Sequence, residues 1–132
     1  MRGDIMSKLV NFFANVLLTT GIVLLVGPPL ARADEHGMYT IDQAYQGKYY
    51  FEQSCQNCHD VKFYKPVLQR YSGQSIMYLW ETIMGTMPAD NPGSLTDEEY
   101  MQIIAYILNQ NNYPMGKNKL GIDNNLDELI IN

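Results

Sequence analysis

The segment Cys55-Gln56-Asn57-Cys58-His59 constrains this chain more than any other feature, because it holds both cysteines of the sequence. Two thiols three positions apart, with an imidazole directly behind them, form one reactive cluster, and whatever they hold becomes part of the fold. The rest of the chain has little from which to build a core. It has 132 residues, which allows one domain and excludes a multidomain enzyme. The first 33 residues read as a removable leader, which leaves 99. A chain of that size can fold alone, but on a thin core. With two cysteines it is not a disulfide-dense mini-scaffold either.

The leader is read from three features in order. Arg2 and Lys8 precede an apolar stretch from Val16 to Val26 that only Thr19, Thr20 and Gly21 interrupt. Pro28 and Pro29 end any helix there, and Ala31-Arg32-Ala33 places small residues where a signal peptidase reads. Residues 1–33 are therefore expected to be a secretory signal, and 34–132 a single domain working in a bacterial periplasm. Asp4 is out of place in such a start, and initiation at Met6 gives a tidier one. The rival is an uncleaved anchor, but the apolar run is short for a span and Asn11 and Asn15 weaken its extension. No membrane span is expected in the mature chain. The formal charge is −5 overall, and the leader holds three of the nine basic residues and one of the 14 acidic ones, so the mature chain carries −7. An acidic body argues against nucleic acid, whose phosphates would repel it. It suits an electropositive protein partner, and it suits solubility alone equally well.

The mature chain reads as all-α, with three to four short helices and long loops at 60–74 and 85–95. A first helix is expected over 41–54, with Thr40 and Gln43 as a capping box and Gly47 in its interior. A second begins after Ser75, carries Ile76, Leu79, Trp80, Ile83 and Met84 on one face, and stops with Gly85 at C′. A third starts at the capping box Thr96/Glu99, with Leu95 and Tyr100 as a hydrophobic staple and Asp97, Glu98 and Glu99 on the positive end of the helix dipole. Tyr100, Ile103, Ile104, Ile107 and Leu108 form its apolar face, and Pro114 lies beyond its end. A weak last turn over 123–130 offers Leu126, Leu129 and Ile130 to the core. Three short helices bury little by themselves, so something apolar is expected in the middle.

Cys55, Cys58 and His59 supply a reason. Two thiols at i, i+3 can each add to one vinyl group of a haem, and the adjacent imidazole then faces the iron; C-x-x-C-H is a c-type haem attachment pattern. A thioredoxin-like dithiol needs a βαβ context that is absent from the pattern, and it leaves His59 without a purpose. A structural zinc site needs four ligands, and His36 is the one further member of the His/Cys set. A Cys55–Cys58 disulfide closes a tiny loop and stabilises little. For the iron's other side the mature chain offers six methionines: Met38, Met77, Met84, Met87, Met101 and Met115. Met84 completes an apolar helix face and is ordinary core on that pattern. Met87 follows a helix stop and precedes Pro88, which forces it into extended backbone and frees its side chain from the helix layer. Met87 is the expected ligand, with Met84 second.

These residues resemble a small class I cytochrome c. Met87-Pro88 is similar to that family's axial Met-Pro motif, and Leu95-Thr96-Asp97-Glu98-Glu99-Tyr100 through Ile104-Ala105-Tyr106-Ile107 to its C-terminal helix. The resemblance implies that Gly47 and Phe51 pack on that helix at Ile103 and Tyr106. It implies that Pro66 is the loop proline whose carbonyl accepts the Nδ1–H of the iron-bound histidine, and that Leu68 packs on the haem. Lys65 stands where a glycine often precedes that proline. The likeness covers roughly 42–113. A weaker one through Tyr113-Pro114-Met115-Gly116-Lys117, Leu120 and Asp123 resembles the cytochrome segments associated with quinoprotein (PQQ) dehydrogenases.

The resemblance implies one haem c, held through Cys55 and Cys58 and ligated by His59 and Met87, in a protein that carries single electrons and is not an enzyme. Trp80 can hydrogen-bond a haem propionate, or simply pack. The implied partners are redox proteins, a quinoprotein dehydrogenase or a terminal oxidase among them. A five-coordinate haem enzyme or gas sensor is the alternative if Met87 does not bind. A haem-free thiol or zinc protein is the third reading, and His59 with the missing core speaks against it.

Overall fold

The computed structural model describes residues 37–124 and 126–132. The expected signal and His36 lie outside the described residues. Among the described residues four α-helices follow in order: α1 (Ile41–Ser54), α2 (Tyr64–Arg70), α3 (Ile76–Thr86) and α4 (Asp97–Gln110). A single 3-10 turn, Val61–Phe63, leads into α2. Among the described residues the extended pairing amounts to two isolated bridges, Tyr39 with Met115 and Ser75 with Ile130. None of these helices is long and apolar enough to cross a membrane.

The helix starts follow from side-chain capping. Thr40 accepts from the Gln43 N–H while the Gln43 side chain accepts from the Thr40 N–H, and Thr96 with Glu99 repeats the box at α4. The Ser75 hydroxyl accepts from the Met77 N–H at the start of α3. Gln43 also ties the chain's tail to α1: its amide donates to the Leu120 carbonyl and accepts from the Leu120 N–H, both at 2.7 Å.

The pairing of α1 with α4 organises the core. At its centre a Cβ on Gly47 would collide with the Gln102 carbonyl and sit 3.0 Å from the Ile103 nitrogen. Only glycine lets the two backbones come this close. One turn on, the Phe51 and Tyr106 rings meet at 5.4 Å. The Gly47/Phe51 contact implied by the cytochrome likeness is thus present. The buried face of α4 is wider than the expected stripe and takes in Met101 and Ala105 as well.

Three expectations need correction. The segment 60–74 is not one long loop, because the 3-10 turn and α2 occupy most of it. Tyr64 and Leu68, at i and i+4, turn inward there and give that short helix its buried face. Gly85 does not terminate α3. It lies inside the helix with no atom near its missing Cβ, and the helix runs on through Thr86 until Met87 turns extended at φ −130°, ψ 151°. The stop comes from Pro88, which excludes the helical region for the residue before it. The described residues of 123–130 form turns, as expected, but they do not offer Ile130 to the core. Leu126 and Ile131 are buried, Leu129 is half-buried, and Ile130 points outward.

Candidate functional site

The end of α1 positions the thiols. Cys55 is the C-cap residue, and its N–H still donates to the Phe51 carbonyl. The Cys58 and His59 N–H groups both donate back to the Cys55 carbonyl, at 3.1 and 2.9 Å. That tight double turn gathers the two thiols and the imidazole into one cluster. Both cysteines are free; Cys55 is half-buried and Cys58 exposed. Burial pushes the Cys55 thiol up to about 11, so it stays neutral. The His59 ring stacks on Phe63 at 5.4 Å and leans on Tyr64 at 5.8 Å. Burial, and then the neighbouring Cys55, push the Tyr64 phenol up to about 12.

Met87 reaches the same place from the other side of the sequence. Its N–H donates to the Ile83 carbonyl at 2.8 Å, and its carbonyl accepts from the Tyr100 hydroxyl at 2.6 Å. Cys55, Cys58, His59 and Met87 all line one cavity of about 760 Å³. That is within the roughly 300–1,000 Å³ span of small-molecule and cofactor sites. Ile83, Leu95, Tyr100 and Ile103 supply apolar wall, and Asp90 is the one acidic side chain among the lining residues.

The other expected site residues fall outside this lining. Met84 is half-buried against the core. Leu68 is buried core on α2. Pro66 is the third residue of α2 and exposed, so its carbonyl belongs to a helix rather than to a loop over His59. Trp80 is half-buried on α3, and its indole nitrogen is fully buried without a hydrogen-bond partner among the described residues. A buried donor of this kind is normally satisfied, so a partner that is not part of the polypeptide fits there.

The structure adds residues that periodicity did not single out. Phe63 and Tyr64 flank the His59 ring, four and five positions after it. Tyr100 reads as core from its spacing, yet its hydroxyl had to find a partner once buried, and that requirement was a usable signal. The cavity, the thiol pair, the imidazole and the thioether together suit a large apolar group with an iron centre. The residues present fit a covalently attached haem.

A family model described as cytochrome C oxidase, cbb3-type, subunit III matches residues 42–107, which is half of the chain. No curated protein and no solved structure matches it. The tail that carries the likeness to quinoprotein-associated cytochromes lies beyond the matched residues, and no comparison supports that association.

Proposed function

This chain belongs to the cytochrome c family described as cytochrome c oxidase, cbb3-type, subunit III, with the all-α fold of a small class I cytochrome c, and on that premise we propose that it is an exported mono-haem carrier of single electrons. The observation that carries the reading is the convergence of Cys55, Cys58, His59 and Met87 on one cavity from two separate stretches of chain.

Each side chain has a task in this proposal. The Cys55 and Cys58 thiols would hold the haem by adding across two vinyl groups, sulfur to one carbon and hydrogen to the other, so that the cofactor could not leave. His59 holds the iron through its imidazole while Phe63 and Tyr64 restrict the rotation of that ring. Met87 supplies a thioether, which favours Fe(II) and raises the potential. Ile83, Leu95 and Ile103 keep water from the cavity and strengthen the same preference. Bound there, haem supplies a one-electron Fe(III)/Fe(II) couple. If His59 and Met87 both hold the iron, no coordination position would be left for a substrate, and the site would serve electron transfer rather than turnover.

Export to a bacterial periplasm is part of the proposal and rests on the signal-like features of residues 1–33. The proposed partners are redox proteins of that compartment. A terminal oxidase is the favoured acceptor, because the family is named for an oxidase subunit. Optical spectra of the purified protein, oxidised and reduced, test the whole reading. Low-spin haem with a weak near-infrared Fe(III)–S(Met) band is expected. A high-spin, five-coordinate spectrum would instead support a haem enzyme or gas sensor.

A further inference from the structure

Tyr100 holds the main chain of the very residue that is read as the sixth ligand. Tyr100 is 1% exposed, and its hydroxyl donates to the Met87 carbonyl at 2.6 Å. The anchor behind it is firm. Tyr100 stands in the first turn of α4, where Glu99 accepts from the Thr96 N–H at 2.7 Å and the Thr96 hydroxyl accepts from the Glu99 N–H at 3.3 Å. On its amino side Met87 is tied to α3 through the Ile83 carbonyl. Past Met87 the chain closes on itself, with Asn91 N–H to Pro88 carbonyl and Ser94 N–H to Asn91 carbonyl. The Met87 peptide is thus strung between α3 and α4, and the Tyr100 hydroxyl is the α4 end of that string.

We propose that Tyr100 is a positioning residue for the iron's sixth ligand: its hydroxyl clamps the Met87 carbonyl and so sets how readily the thioether releases the iron. The inference rests on the reading of Met87 as that ligand. A side chain on a clamped backbone leaves the metal only by changing rotamer. On a loose backbone the whole residue can swing away. The clamp therefore governs the lifetime of the bond rather than its existence.

The test uses ferric holoprotein and saturating cyanide, at which entry is limited by release of the sixth ligand. Tyr100→Phe removes one oxygen and keeps the ring. It should keep the near-infrared Fe(III)–S(Met) band at neutral pH and 25 °C, lose it at a lower temperature than the parent protein does, and take up cyanide about fivefold faster, the ratio one ordinary hydrogen bond supports. Tyr100→4-aminophenylalanine restores a donor and should bring the rate back. Tyr39→Phe is the control, because it removes a buried hydroxyl that donates to the Tyr113 carbonyl at 2.8 Å and Tyr39 does not line the cavity. Cyanide entry at the parent rate in Tyr100→Phe, with the band intact in the parent, overturns the role of Tyr100 alone. An equal acceleration in Tyr39→Phe also overturns it, since general softening then suffices. A parent protein without the band overturns the Met87 reading and this inference with it.

Discussion

At the scale of single residues, two methionines three positions apart divide into the proposed ligand and a packing residue. Met84 rides on α3 against the core, whereas Met87 sits one residue past the helix in extended backbone and lines the cavity. The difference originates in Pro88, which forbids the helical region to its predecessor. Met87→Ala is therefore expected to open the ferrous iron to carbon monoxide, abolish the near-infrared band and lower the potential. Met84→Ala should leave the band in place and cost about 1–2 kcal/mol, on the low side for a methionine truncation because the side chain is only half-buried. Spectra and denaturant titrations of both variants check this. If Met84→Ala removes the band and Met87→Ala keeps it, the ligand has been assigned to the wrong residue.

Two glycines carry the corresponding contrast at the scale of helices. Gly47 lies where α1 presses on the backbone of α4, and Gly85 lies on an exposed turn of α3 with nothing near it. Gly47→Ala should force α1 and α4 apart and destabilise by about 2–3 kcal/mol, as overpacking does. Gly85→Ala should stabilise by about 0.5–1 kcal/mol, since alanine is the better helix former and meets no obstacle. Thermal melts of the two variants should shift in opposite directions. The same pair shows how far the elements were legible in the residues. The starts of α1, α3 and α4 were readable because each is announced by a hydroxyl side chain that satisfies free N–H groups, a purely local device. The end of α3 was misplaced, because a glycine stop and a proline stop compete within three residues and the proline decides. The helix α2 was not foreseen. With seven residues and a proline inside it, α2 has no periodicity to read, and it exists because Tyr64 and Leu68 are drawn into the core. The cluster at Cys55, Cys58 and His59 was legible as chemistry from its spacing. The Tyr100–Met87 contact was not, because nothing local encodes a bond across 13 positions.

The cavity and the net charge set expectations for the whole molecule. Ile83, Tyr100 and Ile103 belong to the core and to the cavity wall at once, so without a bound group their cavity-facing atoms would meet water. A Cys55→Ser/Cys58→Ser protein is accordingly expected to lose much of its helical circular dichroism and its cooperative melt. A native helical spectrum in that variant would show that the polypeptide alone suffices. Charge acts at longer range. Residues 34–132 carry a formal −7, and three of their six basic residues, Lys62, Lys65 and Arg70, are exposed on the 3-10 turn and α2, which follow His59 in sequence. On the acidic side stand Asp90 at the cavity and Asp97 and Glu98, exposed at the start of α4. Encounter rates follow the summed field, which salt screens over about 10 Å at 0.1 M. If the net charge governs approach, reduction of a cationic oxidant such as hexaammineruthenium(III) slows as ionic strength rises, while reduction of anionic ferricyanide quickens. The count of 13 acidic against six basic residues in 34–132 favours that sign, and bound propionates would add to it. Stopped-flow rates over an ionic-strength series decide the matter. The reversed pair of slopes would mean that the three cations of the 3-10 turn and α2 outweigh the rest of the molecule, and that a physiological partner should then meet this protein with an acidic face.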